Sequence, residues 1–529
     1  MRRRSDVINE IRSTDEPWDI LVIGGGATGI GTALDAAARG FSTLLLEQHD
    51  FGKGTSSRST KLVHGGVRYL RQGDVSLVFE ALRERGLMLR NAPHLVMNQS
   101  FVIPAYDWWE GPFYTVGLKV YDMMAGKMRL GPSRHLSREE TLALIPTIEK
   151  QGLKGGIIYH DCQFDDARML ISLAQTCEDH GGVLANYVRV TGLVKEKGLV
   201  SGVLATDQET GEEFRIRARS VVNATGVFTD DILGMDDPQT DKMIRPSQGI
   251  HLVLDKHFLE GQHAVMVPQT SDGRVMFAVP WYNRVVVGTT DTLVDEVTLE
   301  PKPLEEEVDF VLHTAGEYLA HDIGREDVLS MFAGLRPLAV SGKRGKSTKE
   351  ISRHHKVMVS VSGLISVIGG KWTTYRKMAE DAVNYAIMAG DLPERKCITH
   401  HLPVHGFTST PTLQMNAMSA YGHDKQLIVK ISDETFRDDP YLSVSLGIRK
   451  AQVTWAAREE MALTLEDVLA RRTRALFLDA KESLRIAPEA ASILADESGW
   501  DDHRIQSELD KYNQVVKSYL PDLIYKQIQ

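Results

Sequence analysis

Residues 18–47 read WDILVIGGGATGIGTALDAAARGFSTLLLE. An apolar run from Asp19 to Ile23, a glycine turn, an alanine-rich stretch to about Arg39 and a second apolar run from Ser42 to Glu47 predict a βαβ unit. Gly24-Gly25-Gly26-Ala27-Thr28-Gly29 contains GxGxxG. With 44 glycines in 529 residues, three so spaced arise by chance about 0.3 times, so the spacing alone says little. Its place between a strand and a helix says more. There Gly24 permits the tight turn and Gly26 lets backbone approach a pyrophosphate at the helix N-terminus, with Ala27 and Thr28 in the same turn. Gly29 lets helix and strand pack closely. Glu47 closes the next strand about twenty residues on, where a carboxylate takes both hydroxyls of an adenosine ribose. Gln48 and His49 bring no arginine for a 2′-phosphate, so NADP is not expected.

FAD and NAD share this fingerprint, and the next segment separates them. Gly54-Thr55-Ser56-Ser57-Arg58-Ser59-Thr60-Lys61-Leu62 holds more hydroxyl and backbone donors than NAD needs and suits an extended flavin dinucleotide. Thr55, Ser56, Ser57, Lys61 and Leu62 are the candidate contacts. His64-Gly65-Gly66-Val67-Arg68-Tyr69 follows, and far along the chain Gly369-Gly370-Lys371-Trp372-Thr373-Thr374-Tyr375-Arg376 opens a helix. Val183 to Val194 and Leu199 to Thr206 read as strands. Ser220 to Asn223 is a buried run ending in Ala224-Thr225-Gly226, on the carboxyl side of the sheet where open α/β folds bind ligands. Val190, in the strand after Gly181-Gly182, is a candidate backbone contact to adenine by its resemblance to the position that makes this contact in related flavoproteins. His251 to Leu254, Val275 to Val279 and Arg284 to Gly288, separated by turns, fit an antiparallel sheet.

The fold class expected is α/β: a Rossmann-like FAD-binding domain with an inserted antiparallel β-sheet substrate domain, plus a separate all-helical C-terminal domain. The boundaries are an arm at 1–17, an oxidoreductase region at 18–390, a linker at 391–412 and the helical domain at 413–529. Within 18–390 the cofactor parts run over about 18–105, 155–245 and 335–390, and the substrate parts over about 106–154 and 246–334. In the C-terminal domain Ala456 to Arg472, Leu484 to Glu497 and Asp501 to Tyr519 have helical spacing.

Composition narrows the partners. At 42% hydrophobic and 25% charged residues the chain is an ordinary globular one, and a net charge of -10 argues against nucleic acid. Cys162, Cys177 and Cys397 are too few and scattered for a disulfide framework or a zinc site, so no metal is expected and a reducing, cytosolic address is. The start MRRRSDVINEIRSTDE has no apolar core, so it reads as a frayed arm and not a signal peptide. The most apolar window, Phe101 to Gly126, is broken by Asp107, Glu110, Lys119 and Asp122, so no bilayer-spanning helix is expected.

Four stretches, IGGGATGIGTALDAAARG (23–40), SSRSTKLVHGGVRYL (56–70), GGKWTTYRKMA (369–379) and TLEDVLARRTR (464–474), resemble in type and order the FAD-dependent, aerobic respiratory glycerol-3-phosphate dehydrogenases. The resemblance implies oxidation of sn-glycerol 3-phosphate to dihydroxyacetone phosphate by hydride transfer from C2 to FAD. It also implies a membrane quinone as electron acceptor and attachment to the cytoplasmic face of the cell membrane, with a homodimer possible. Arg336, Arg353, Arg68 and Tyr69 match substrate positions. His64, Lys371 and Arg336 match catalytic ones, and Gly369, Lys371, Trp372 and Thr373 cofactor ones. The chain departs from the family in a longer N-terminal arm and a short loop between Arg353 and Gly369. It has no EF-hand loop, so calcium control is not implied.

The chemistry is consistent with these residues. A phosphate dianion is held better by planar guanidiniums than by a single ammonium. Negative charge developing at the flavin N1 and O2 suits the N-terminus of the helix after Gly369-Gly370-Lys371. The base is His64 or Lys371; His64 is favoured because it titrates near neutrality unaided. Thr289-Thr290-Asp291 reads as a turn with a capping Asp. Trp108, Trp109, Phe113, Tyr114, Leu118, Val120, Tyr121, Met123 and Met124, with Lys119, Lys127 and Arg129, form a stretch suited to a membrane interface or to burial. Two further readings are an oxygen-dependent glycerol-3-phosphate or amine oxidase of the same fold, and a non-catalytic flavin sensor.

Overall fold

The run Trp18–Ile23 is buried almost throughout, between parallel partners Thr43–Leu46 and Glu213–Asn223. Burial on both faces is why it reads as an unbroken apolar run and not an alternation. In the computed structural model, which describes residues 1–67, 74–108, 110–270, 273–340 and 355–528, it is central to the first of two large sheets. The order there is Lys356–Val359, Ile365–Ile368, Glu213–Asn223, Trp18–Ile23, Thr43–Leu46, Val183–Ala185, parallel except for the first pair. Val188–Glu196 and Leu199–Asp207 extend Glu213–Asn223 as an antiparallel ribbon. The helices Ala27–Ala38, Asp166–Asp179 and Tyr375–Ala389 pack together against this sheet. The α/β expectation is met.

The second sheet has ten strands and stands beside the first. Ile244–Asp255 and Ser330–Ala339 pair along ten residues each, as do Val96–Ala105 and Gly155–Phe164. All its pairs are antiparallel except Ala264–Val267 on Val96–Ala105, so the sheet is mixed. Leu62–Val63, Val96–Ala105 and Gly155–Phe164 come wholly, and Ser330–Ala339 by half, from stretches expected in the cofactor part, so those stretches also build the second sheet. Periodicity reports burial, but which sheet a strand joins depends on partners far along the chain.

Two terminal expectations also change. Residues Arg4–Ser13 form a helix, with Val7, Ile8 and Ile11 on one buried face and Arg4 on Asp207 at 2.6 Å, so the N-terminus is docked and not frayed. Three apolar residues at helical spacing suffice once a surface is there to receive them. The helix expected over Ala456 to Arg472 is broken: Lys450–Glu459 ends, Met461 takes a left-handed φ of 53°, and a wide π turn follows at Asp467–Arg472. Glu460 leaves the helix to meet Arg168, and Asp467 accepts from the N–H groups of Leu463 and Thr464. The C-terminal region also carries a small hairpin, Tyr441–Ser443 with Ile448–Arg449. Its Leu465, Val468 and Leu476 share one apolar core with Val22 and Leu170, so this domain packs directly on the first sheet and its helix Asp166–Asp179. The linker at 391–412 is irregular apart from one short 3-10 turn, yet Leu392 and Val404 are buried.

Candidate active site

Two cavities meet along the carboxyl ends of the first sheet. One, about 430 Å³, is lined by Gly24, Gly26, Ala27, Thr28, Glu47, Thr55, Ser56, Val190, Ala224, Thr225 and Gly226. The other, about 310 Å³, is lined by His64, Leu62, Thr373 and Arg336 among others. Thr55, Pro337, Gly369, Gly370, Lys371 and Trp372 line both, so the two form one elongated cleft.

The glycine turn explains the first cavity. Gly24 has φ 107°, and a Cβ there would lie 2.8 Å from the Ala224 carbonyl oxygen; a Cβ at Gly29 would collide with the Gly24 carbonyl. Side chains at these points would close the cradle and push helix from strand. Ser56 Oγ accepts from the Ala27 N–H at 2.9 Å. Glu47 accepts from the N–H groups of Gly25 at 2.6 Å and His49 at 2.8 Å, which aims its carboxylate while leaving lone pairs for a ribose. Desolvation pushes its carboxyl upward, against the pull of those donors. Trp372 Nε1 donates to the Ser56 carbonyl at 2.8 Å, tying the start of the helix Tyr375–Ala389 to the segment opposite. A buried cradle, a ribose carboxylate and an elongated cleft fit FAD.

Two expected contacts are corrected. Ser57 and Lys61 are buried away from the cleft: Lys61 Nζ donates to the Ser57 carbonyl and to Asp166, each at 2.7 Å. The ammonium lies among the rings of Trp281, Phe332 and Phe477. Asp166, wholly buried, demands cationic partners, and its carboxyl is held low by Lys61 and Arg474 against the effect of burial.

At the second cavity Arg336 spans Ser330–Ala339 and the end of Arg284–Gly288. Its guanidinium donates to Thr289 Oγ1 and the Thr290 carbonyl at 3.0 Å and stands 3.4 Å from Asp291. Thr289-Thr290-Asp291 is therefore cavity wall supporting an arginine, not merely a capped turn. His64 and Lys371 join it. Arg68, Tyr69 and Arg353 lie outside the described residues. Sequence reading missed Arg58, Arg274 and His251, all on the wall. Arg58 is buried on Glu300 at 2.7 Å. His251 sits 2.9 Å from Thr60 Oγ1 and stacks on Phe332; burial, then the charges of Lys61 and Arg336, push its pKa well below the ordinary value. Its only sequence mark was a histidine opening a buried strand. Four basic side chains, Arg58, Arg274, Arg336 and Lys371, line this cavity against two carboxylates, Asp161 and Asp291, with Arg58 held by Glu300 and Asp161 by Arg85 and Tyr121, so the lining is cationic by composition. Away from the cleft, two groups among the described residues have ligand-type atoms within 4.8 Å of one another: Glu380, Cys397 and His400, and His405, His423 and Asp424.

The comparisons agree with this geometry. Residues 19–376 match the FAD dependent oxidoreductase family, and residues 365–505 match the C-terminal domain of alpha-glycerophosphate oxidase. The chain is 41% identical to the mitochondrial glycerol-3-phosphate dehydrogenase of Bos taurus, over 96% of this chain and 74% of that one. It is 37% identical to the Schizosaccharomyces pombe enzyme of the same name, over 95% and 87%. The structure of the glycerol-3-phosphate dehydrogenase from Bacillus halodurans complexed with FAD superposes with a TM-score of 0.80, at 29% identity and 98% coverage of both chains. The glycine cradle, the cationic cavity and these matches together show that the chain belongs to the FAD-dependent glycerol-3-phosphate dehydrogenase family.

Proposed function

We propose that this chain oxidises sn-glycerol 3-phosphate to dihydroxyacetone phosphate and passes the electrons to a quinone at a membrane surface. The observation that carries the reading is a cationic cavity opening onto the same cleft as the dinucleotide cradle. Bound FAD supplies the hydride acceptor for C2. Arg336, fixed by Thr289, Thr290 and Asp291, holds the phosphate with Arg274; by family resemblance Arg68, Tyr69 and Arg353 complete the grip. His64, half-buried on the cavity wall, takes the hydroxyl proton. His251 does not, because burial disfavours its protonated form and so makes it a weak proton acceptor; through Thr60 it orients the wall. Lys371 and the N–H groups opening the following helix face the negative charge that develops.

The test is anaerobic titration of the yellow protein with sn-glycerol 3-phosphate, with glycerol and NADH as controls. Loss of the oxidised flavin absorbance is expected with the phosphate ester alone. His64→Asn is expected to slow that reduction about 10²–10⁴-fold, and His251→Asn far less. A flavin that stays oxidised would overturn the substrate assignment, and steady hydrogen peroxide production matching substrate use in air with a quinone present would replace the quinone with oxygen.

The membrane surface is assigned to the helix Glu110–Ala125. No helix among the described residues is long and apolar enough to cross a bilayer. Phe113, Val116, Val120 and Met123 recur on one exposed stripe, with Trp108 83% exposed beside it. Leu118 and Tyr121 turn inward instead, and Trp109 is outside the described residues. Phe79 of the neighbouring helix shares a groove with Met124 and Arg83. An apolar stripe beside basic side chains suits an interfacial position, on the cytoplasmic face of the membrane. Phe113→Ser with Val116→Ser and Met123→Ser is expected to cut co-flotation with phospholipid vesicles at least about tenfold, leaving flavin reduction intact. Unchanged flotation would remove this face from consideration.

A further inference from the structure

The fourth motif, Thr464–Arg474, touches neither cavity, yet it holds both chain segments that build the cofactor cradle. The loop after Glu47 is tied to the glycine turn by Gly25 N–H on Glu47 and by Gly52 N–H on the Gly25 carbonyl at 3.0 Å. Its central residue, Asp50, points the other way and is wholly buried. Arg472 meets it with a fork of 2.6 and 2.8 Å, and Arg471 adds a further contact. Arg471 is itself braced by Glu466 and Asp467, each at 2.7 Å. Two more ties join the same parts: Lys53 to Glu466 at 2.8 Å, and Tyr187 Oη to Asp467 at 2.7 Å, with Tyr187 N–H on the His49 carbonyl. Arg474 reaches the second segment, donating to Asp166 at 3.0 Å and the Ser57 carbonyl at 3.2 Å. Ser57 adjoins Ser56, the residue that accepts from Ala27.

We propose that this segment is a clamp that sets the affinity for FAD from outside the binding site, with Asp50, Arg471 and Arg472 as positioning residues acting through Glu47. The wide π turn lets two successive guanidiniums reach one carboxylate, a geometry often found at functional positions. A bidentate fork fixes direction as well as distance, so Asp50 cannot shift without carrying the loop that aims Glu47. The C-terminal region thereby has a role in holding cofactor. The inference rests on the FAD assignment and is independent of the substrate and the acceptor.

FAD release from the holoenzyme after dilution, followed by the rise in flavin fluorescence, tests it. Asp50→Asn is expected to speed release about 10- to 100-fold. Tyr187→Phe, a milder loss on the same face, is expected to speed release a few-fold. The distinguishing readout is coupling: Glu47→Gln is expected to speed release much less in the Asp50→Asn background than in the parent. Independent, multiplying effects would mean that Asp50 does not act through Glu47. Release unchanged in both single variants, or faster only in step with a lowered urea midpoint, would reduce the clamp to a structural contact.

Discussion

Arg336→Ala is expected to lower kcat/KM for sn-glycerol 3-phosphate about 100-fold or more. Losing one charge-assisted contact costs about 1.5–3 kcal/mol, roughly 10- to 150-fold. Here the loss is compounded, because Asp291, 3.4 Å from the guanidinium, would face a dianion without the Arg336 charge between them. Arg336→Lys is expected to recover only part of the loss, since an ammonium cannot span Thr289, the Thr290 carbonyl and the substrate together. Adding Asp291→Asn to Arg336→Ala should restore some activity by removing a negative charge beside the phosphate. Steady-state assays with an artificial electron acceptor decide this; equal kcat/KM for parent and Arg336→Ala would remove Arg336 from the phosphate site.

The second large effect is on stability. Glu460→Ala is expected to cost about 3–5 kcal/mol, because it strands Arg168 in the core. Glu460 and Arg168 are almost fully buried and meet in a fork of 2.7 and 2.8 Å, and Trp455 Nε1 donates to the same carboxylate at 3.2 Å. The pair joins the helix Asp166–Asp179 of the first layer to the C-terminal region, so loss of it loosens both at once. Arg458→Ala, which breaks an equally short pair with Glu497 at an exposed position, is expected to cost at most about 1 kcal/mol. Urea unfolding of the two variants side by side reads the contrast. A Glu460→Ala midpoint no lower than that of Arg458→Ala would show that this buried pair contributes little.

The first βαβ unit was legible because every part of it is local. Burial on both faces makes Trp18–Ile23 uniformly apolar, and the backbone demands at Gly24 and Gly29 admit only glycine. Glu47, Ser56 and Trp372 were found for a related reason: each lies in a motif whose neighbours are in contact with it or with the cleft. His251, Arg58 and Arg274 were not found, since nothing beside them in the chain marks a cavity wall. Lys61 was misplaced because its motif pointed to cofactor, while Asp166, 105 positions along, took its charge.

What the sequence by itself determined is therefore the dinucleotide cradle, the α/β class and the family, all written in residues that sit close together in the chain. Only the tertiary structure decided which strands belong to which sheet and that Arg58, Arg274 and Arg336 line the second cavity. It also showed that the C-terminal motif grips Asp50 from more than four hundred residues away. The physical reason is the same in each case. Burial and backbone strain leave their mark on the residue that bears them, whereas an ion pair or a strand pairing depends on a partner that the local sequence does not name.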